Sequence, residues 1–217
     1  MIKTLTHAAL VLALTALTVT TAQAQDADAG AKKVAQCIGC HGIPGYQASF
    51  PEVHKVPMIS GQAAGYIVAS LEAYKKGDRK HPTMRSVAGS MTEQDMADVA
   101  AFYERQAGAS ALKSVSAREP SAEVAALLTK GACASCHGAD YNQPIAPNYP
   151  KIAGQHADFL YVSLKAYQTE NNPQVGRNNA IMGGVAKQFT LAELKLLAAY
   201  IGSLPGSLQS VPQSRFR

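Results

Sequence analysis

The sequence predicts an all-α chain made of two similar domains in tandem, and three observations carry that prediction. Cys37-Ile-Gly-Cys40-His41-Gly42 recurs as Cys133-Ala-Ser-Cys136-His137-Gly138, a shift of 96 positions that uses all four cysteines of the chain. Downstream of each box, apolar residues recur at i, i+4 and i+7, the period of a helix with one buried face. No stretch alternates polar and apolar residues over a useful length, as a half-buried strand would.

Taken in order, the chain opens with Lys3, an apolar run from Ala8 to Val19 broken only by threonines, and Ala22-Gln23-Ala24. That is the pattern of a signal peptide over 1–24, cleaved after Ala24. The run is too short for a convincing membrane span. About 190 residues then remain, enough for two small domains. The first, 25–106, carries its box on a helical turn, then a loop with Pro57, Ile59, Gly61 and Gln62. A shift of 93 carries these onto Pro150, Ile152, Gly154 and Gln155, and carries Ile67, Leu71 and Tyr74 onto Leu160, Leu164 and Tyr167. A middle helix is therefore expected in each half. A shift of 98 matches Thr92, Met96, Val99, Ala100 and Tyr103 with Thr190, Leu194, Leu197, Ala198 and Ile201. These segments read as a last helix opened by a threonine cap, with Glu93 or Glu193 near its positive end. Residues 107–120, rich in Ala and Ser, lack an apolar period and read as a linker, which leaves 121–217 as the second domain.

Cys-x-x-Cys-His is the attachment signature of c-type haem. Positions i and i+3 share one face of a helical turn, so both thiols reach the vinyl groups of one porphyrin. The imidazole of the next residue then falls under the iron. Dithiol redox pairs, a four-cysteine zinc site and structural disulfides are the other uses of such cysteines. None of them needs the histidine that follows both pairs. The expected cofactors are two covalent haem c groups, on Cys37, Cys40 and His41 and on Cys133, Cys136 and His137. Bacterial haem attachment takes place outside the cytoplasmic membrane, so a periplasmic protein is expected.

A methionine opposite the histidine raises the potential of such an iron. The second half has one methionine, Met182, and the 98-residue shift brings Met84 onto it, with Val87 on Val185 and Ala88 on Ala186. Met91 falls on Phe189 and Met96 on Leu194, which marks both as packing residues, and under the 93-residue shift Met58 falls on Lys151. Met84 and Met182 are thus the expected sixth ligands, in loops before the last helices. His54, His81 and His156 have no counterpart in the other half and are expected to be solvated or hydrogen-bonded at the surface. Pro57 and Pro150 either aim a carbonyl at the proximal imidazole N–H or merely restrict their loops.

The formal charge of +5 falls to +4 without Lys3, and four haem propionates largely cancel that. No sustained basic run interleaves with aromatics, so nucleic acid is not an expected partner. Lys75, Lys76, Arg79, Lys80 and Arg85 cluster near Met84, either to steer an acidic redox partner or as solvated cations near a helix end.

On the two boxes, the Pro-x-Ile-x-Gly-Gln segments (57–62 and 150–155), the aromatic-bearing middle helices and the methionine loops, the chain resembles the di-haem cytochrome c4 family over essentially its whole mature length. The resemblance implies two class I cytochrome c-like domains of about three to five helices each, related by a pseudo-twofold axis. It implies a periplasmic electron carrier rather than an enzyme, soluble or peripherally membrane-associated. Its partners would be redox proteins of a respiratory chain, a terminal oxidase or a dehydrogenase among them. The haem subunit of a larger dehydrogenase, such as a sulfide-oxidising flavocytochrome, has a similar two-domain plan.

Overall fold

The computed structural model describes residues 24–107 and 118–213. Residues 1–23 of the expected signal segment and 108–117 of the expected linker therefore lie outside the described residues. Each half holds five helices in matching order. The first runs α1 (Ala27–Lys33), α2 (Ala35–His41), α3 (Ala64–Lys76), α4 (Pro82–Gly89) and α5 (Glu93–Arg105). The second runs α6 (Ala122–Lys130), α7 (Ala134–His137), α8 (Ala157–Gln168), α9 (Ala180–Ala186) and α10 (Leu191–Ser203).

The last helices begin as their sequences dictate. Thr92 and Asp95 form a reciprocal capping box on α5, as Thr190 and Glu193 do on α10. In the first half the reciprocating acid is Asp95, three residues after the cap, rather than Glu93. Helix α1 packs along α5, and α3 along α4 and α5; in the second half α6 and α8 pack on α10. Val34, Ile67, Leu71, Met96, Val99 and Tyr103 join the first core. Leu127, Phe189, Leu194 and Leu197 form its counterpart, with Leu160, Ala198 and Ile201 beside it. Met91 and Met96 are core residues, 3 % and 1 % exposed, as the repeat predicts.

Strand pairing among the described residues is confined to two two-residue pairs and one isolated bridge, Ser60 with Gln209, which leaves the all-α class intact. β1 (Gln47–Ala48) and β2 (His54–Lys55) form a small hairpin. β3 (Arg79–Lys80) pairs antiparallel with β4 (Gly176–Arg177), joining the two halves. The halves also meet through a reciprocal exchange of buried amides. Gln155 accepts from Met58 N at 3.0 Å and donates to Met58 O at 2.9 Å. Gln62 accepts from Lys151 N at 2.9 Å and donates to Lys151 O at 3.0 Å. Gln62 and Gln155 are 3 % and 4 % exposed, so these bonds are sheltered from water.

Candidate functional site

One cavity of about 700 Å³ is lined from both halves and brings together all the expected haem-attachment and ligand residues. Cys37, Cys40, His41 and Met84 line it from the first half, and Cys133, Cys136, His137 and Met182 from the second. Helix α2 carries the whole first box, and α7 carries the second with Cys133 at its N-cap.

The box histidines are held alike. His41 Nδ1 lies 2.9 Å from Pro57 O, and His137 Nδ1 lies 3.0 Å from Pro150 O. A carbonyl has no proton to give, so each Nδ1 carries the hydrogen and each Nε2 keeps its lone pair. Burial, only partly opposed by these bonds, lowers the pKa of both rings and keeps them neutral. The prolines of the repeated segment thus present carbonyls to the imidazoles, which decides between the two readings of those loops.

The methionines do not sit in plain loops. Met84 is the third residue of α4, and its amide donates to His81 Nδ1 at 3.4 Å; Met182 is the third residue of α9, and its amide donates to Asn179 Oδ1 at 2.9 Å. His81 therefore has a counterpart after all, since the 98-residue shift carries it onto Asn179 and both are helix N-caps. The sequence signal was available there: an Asn three residues before the ligand candidate is a strong cap. His54 also departs from expectation. It is 5 % exposed, with Nδ1 2.8 Å from Glu52 O, so it is a buried histidine rather than a surface one. His156 is half-buried at the N-cap of α8.

The alternative uses of the cysteines do not match this geometry. The four thiols stand in two separate pairs without a disulfide, and no three metal-ligating groups converge among the described residues. Burial pushes the Cys37 thiol up to about 11, and raises Cys133 as well, whereas a reactive dithiol needs a lowered pKa.

The wall suits a large apolar group with an anionic edge. Ile67, Leu71, Val99, Leu160, Leu197 and Ile201 supply the apolar lining. Arg79 and Arg177 face each other in strand register, a like-charge pairing that is unfavourable by itself. Neither has a carboxylate within ion-pair distance among the described residues. Arg79 lies over the Tyr74 ring at 4.7 Å and Arg177 over Tyr167 at 5.4 Å. Arg79 Nε, Ser70 Oγ and Ser163 Oγ are buried without a hydrogen-bond partner, and all three residues line the cavity. Orphaned donors around two unpaired cations fit the carboxylates of a porphyrin.

The basic cluster near Met84 is mostly engaged within the fold. Lys75 donates to Met91 O at 2.6 Å, Lys76 pairs with Glu72 at 3.8 Å, and Lys80 donates to Asn172 O at 2.7 Å. That favours cations with structural partners over a free steering patch. No helix among the described residues is long and apolar enough to cross a membrane.

The cytochrome c family model matches residues 27–105 and 121–205. Cytochrome c4 from Stutzerimonas stutzeri is 29% identical over 199 residues, covering 83% of this chain and 90% of that one. The thiosulfate dehydrogenase electron acceptor from the same species is 28% identical over 77% of this chain and 78% of its own. Among solved structures, reduced cytochrome c4 from Pseudomonas stutzeri superposes with a TM-score of 0.60 at 26% identity, covering 83% of this chain and all of that one.

Proposed function

The chain belongs to the cytochrome c family, in the tandem form of the cytochrome c4 proteins, and on that premise we propose how its residues hold two haems and pass electrons between partners. The protein is a di-haem c-type cytochrome that transfers electrons and is not an enzyme. Cys37 and Cys40 tether one macrocycle by thioethers, and Cys133 and Cys136 the other. His41 and Met84 would hold the iron in the first half, and His137 and Met182 in the second. Bound there, haem supplies one-electron exchange at iron.

The rest is work done by the chain. Pro57 O and Pro150 O fix the imidazole tautomer and hold each Nε2 toward the cavity. His81 and Asn179 anchor the methionine backbones. The apolar wall keeps water away, and Arg79 and Arg177 on that wall would offset the charge of the macrocycle carboxylates. A histidine and a methionine held on each iron would leave a substrate no open position there. A donor loses one electron, an acceptor gains one, and no atom changes hands.

We place this carrier in the periplasm, on the export pattern of residues 1–24. A relative that serves as a thiosulfate dehydrogenase electron acceptor supports a dehydrogenase as donor, and a terminal oxidase is the matching acceptor.

The observation that carries the reading is the twofold recurrence of a carbonyl-held histidine and a capped methionine on one cavity. The test is an absorption spectrum of the purified holoprotein with and without carbon monoxide, with haem counted per chain. Two haems and no response to carbon monoxide are expected. Carbon monoxide binding at either native haem would overturn the closed-site reading.

A further inference from the structure

The bond that holds each box histidine ends on a peptide group that the opposite half also grips. Pro57 C=O and Met58 N–H belong to one peptide unit. Its oxygen accepts from His41 Nδ1 at 2.9 Å, and its N–H donates to Gln155 Oε1 at 3.0 Å. The Pro150–Lys151 peptide repeats this: its oxygen accepts from His137 at 3.0 Å, and its N–H donates to Gln62 at 2.9 Å. Both glutamines are almost wholly buried, and each clamps the next carbonyl as well.

Hydrogen bonds in series polarise one another, most of all away from water. An acceptor on the peptide N–H draws the proton outward and builds negative charge on the carbonyl oxygen. That oxygen then holds the imidazole N–H more tightly, which makes Nε2 a stronger electron donor toward a metal. A stronger donor favours the oxidised iron and lowers its potential.

We propose that Gln155 and Gln62 are positioning residues acting across the interface, each tuning the haem of the opposite half through one shared peptide. Gln155, from the second half, acts on His41; Gln62, from the first, acts on His137. The electronic state of each site is thereby tied to the docking of the two halves. This rests on His41 and His137 being iron ligands, as proposed above.

The test is a redox titration of holoprotein carrying Gln155→Met or Gln62→Met, near-isosteric changes that remove the amide. The two haems are followed separately by NMR through their histidine and methionine resonances. Gln155→Met is expected to raise the potential of the first-half haem and leave the second within error; Gln62→Met should do the reverse. Should an apolar variant fail to load haem, Gln155→Asn and Gln62→Asn, one methylene too short to reach the peptide, make the same comparison. Equal shifts at both haems, a shift confined to the glutamine's own half, or no shift would overturn the inference. Failure of the ligand assignment shows differently, as carbon monoxide binding by the unmutated protein.

Discussion

At the scale of single residues, the methionines are placed by backbone as much as by side chain. Each is the third residue of a short helix, where its amide is one of the donors that no carbonyl of the same helix can meet. A cap three residues upstream satisfies that amide and so fixes the direction of the thioether. Met182→Ala is expected to open the second haem to carbon monoxide and leave the first closed, with Met84→Ala giving the mirror result; a Met182→Ala protein that binds none and keeps its native spectrum would refute the ligand pair. The caps themselves differ in quality. Asn179→Ala should cost about 1 kcal/mol in thermal unfolding, while His81→Ala should cost less, because its 3.4 Å contact is the longer one. An equal or larger loss at His81 would contradict the geometry.

At the scale of elements, the docking of α1 on α5 shows what a small domain does when its core is shared with a cofactor. Asp98 is 2 % exposed and accepts from Asp26 N at 3.0 Å, Lys33 Nζ at 2.8 Å and Gln94 Nε2 at 2.6 Å. Burial alone would raise its pKa, but these donors outweigh it and hold the carboxyl below the ordinary 3.8. Asp95, hydrogen-bonded first by Lys33 and then by Thr92, is lowered too. Carboxyls depressed in the folded state contribute stability that is full above the unfolded value and is lost as pH falls through the folded one. Melting temperature should therefore drop as pH is lowered from about 4, and Asp98→Ala should flatten that slope and cost about 2 kcal/mol at neutral pH. A slope unchanged in the variant would assign the acid sensitivity elsewhere. The same helices touch at Gly30, where a Cβ would stand 2.0 Å from Asp98 O. Overpacking there cannot be relieved by a side-chain rotation, so Gly30→Ala should cost about 3 kcal/mol in chemical denaturation. A neutral result would mean that α1 slides freely on α5.

These elements were legible to different degrees in the sequence. Helices α3, α5, α8 and α10 follow from apolar spacing and threonine caps, because period and cap are local properties. The box cysteines and histidines and Met84 and Met182 follow from spacing and repeat, and the structure collects all eight on one cavity. What escaped was set by contacts distant in sequence. His54 is buried because Phe159 of the other half packs near it, ring centres 6.2 Å apart. Gln62 and Gln155 stood out as a repeated pair, yet their partners are backbone atoms, which leave no mark on residue type. The lysines near Met84 looked like a patch because sequence shows charge but not the carbonyls that lysines reach.

At the scale of the whole molecule, the surface ion pairs and the buried amides that join the halves alongside the β3–β4 pair should not weigh equally. Glu52 and Lys165 pair at 3.0 Å, and Lys55 and Asp158 at 3.9 Å, with all four side chains at least a third exposed. Pairs so open to water and salt contribute about 0–1 kcal/mol. Glu52→Ala is thus expected to shift unfolding by less than about 1 kcal/mol, and a loss several times larger would show that the surface pairs, not the buried amides, hold the halves. The amide exchange has the form of an isologous contact, in which residue i meets j while j meets i, as in a twofold homodimer. A single half already carries both sides of it: a glutamine to reach out and a peptide to be reached. Joining two such halves in one chain adds nothing to that contact but fixes the count at two and frees the copies to diverge. Met58 and Lys151 record the divergence. Because the contact takes only their backbone, one side chain can be apolar and the other a cation whose Nζ reaches Gly61 O at 2.7 Å, with the symmetry of the contact intact.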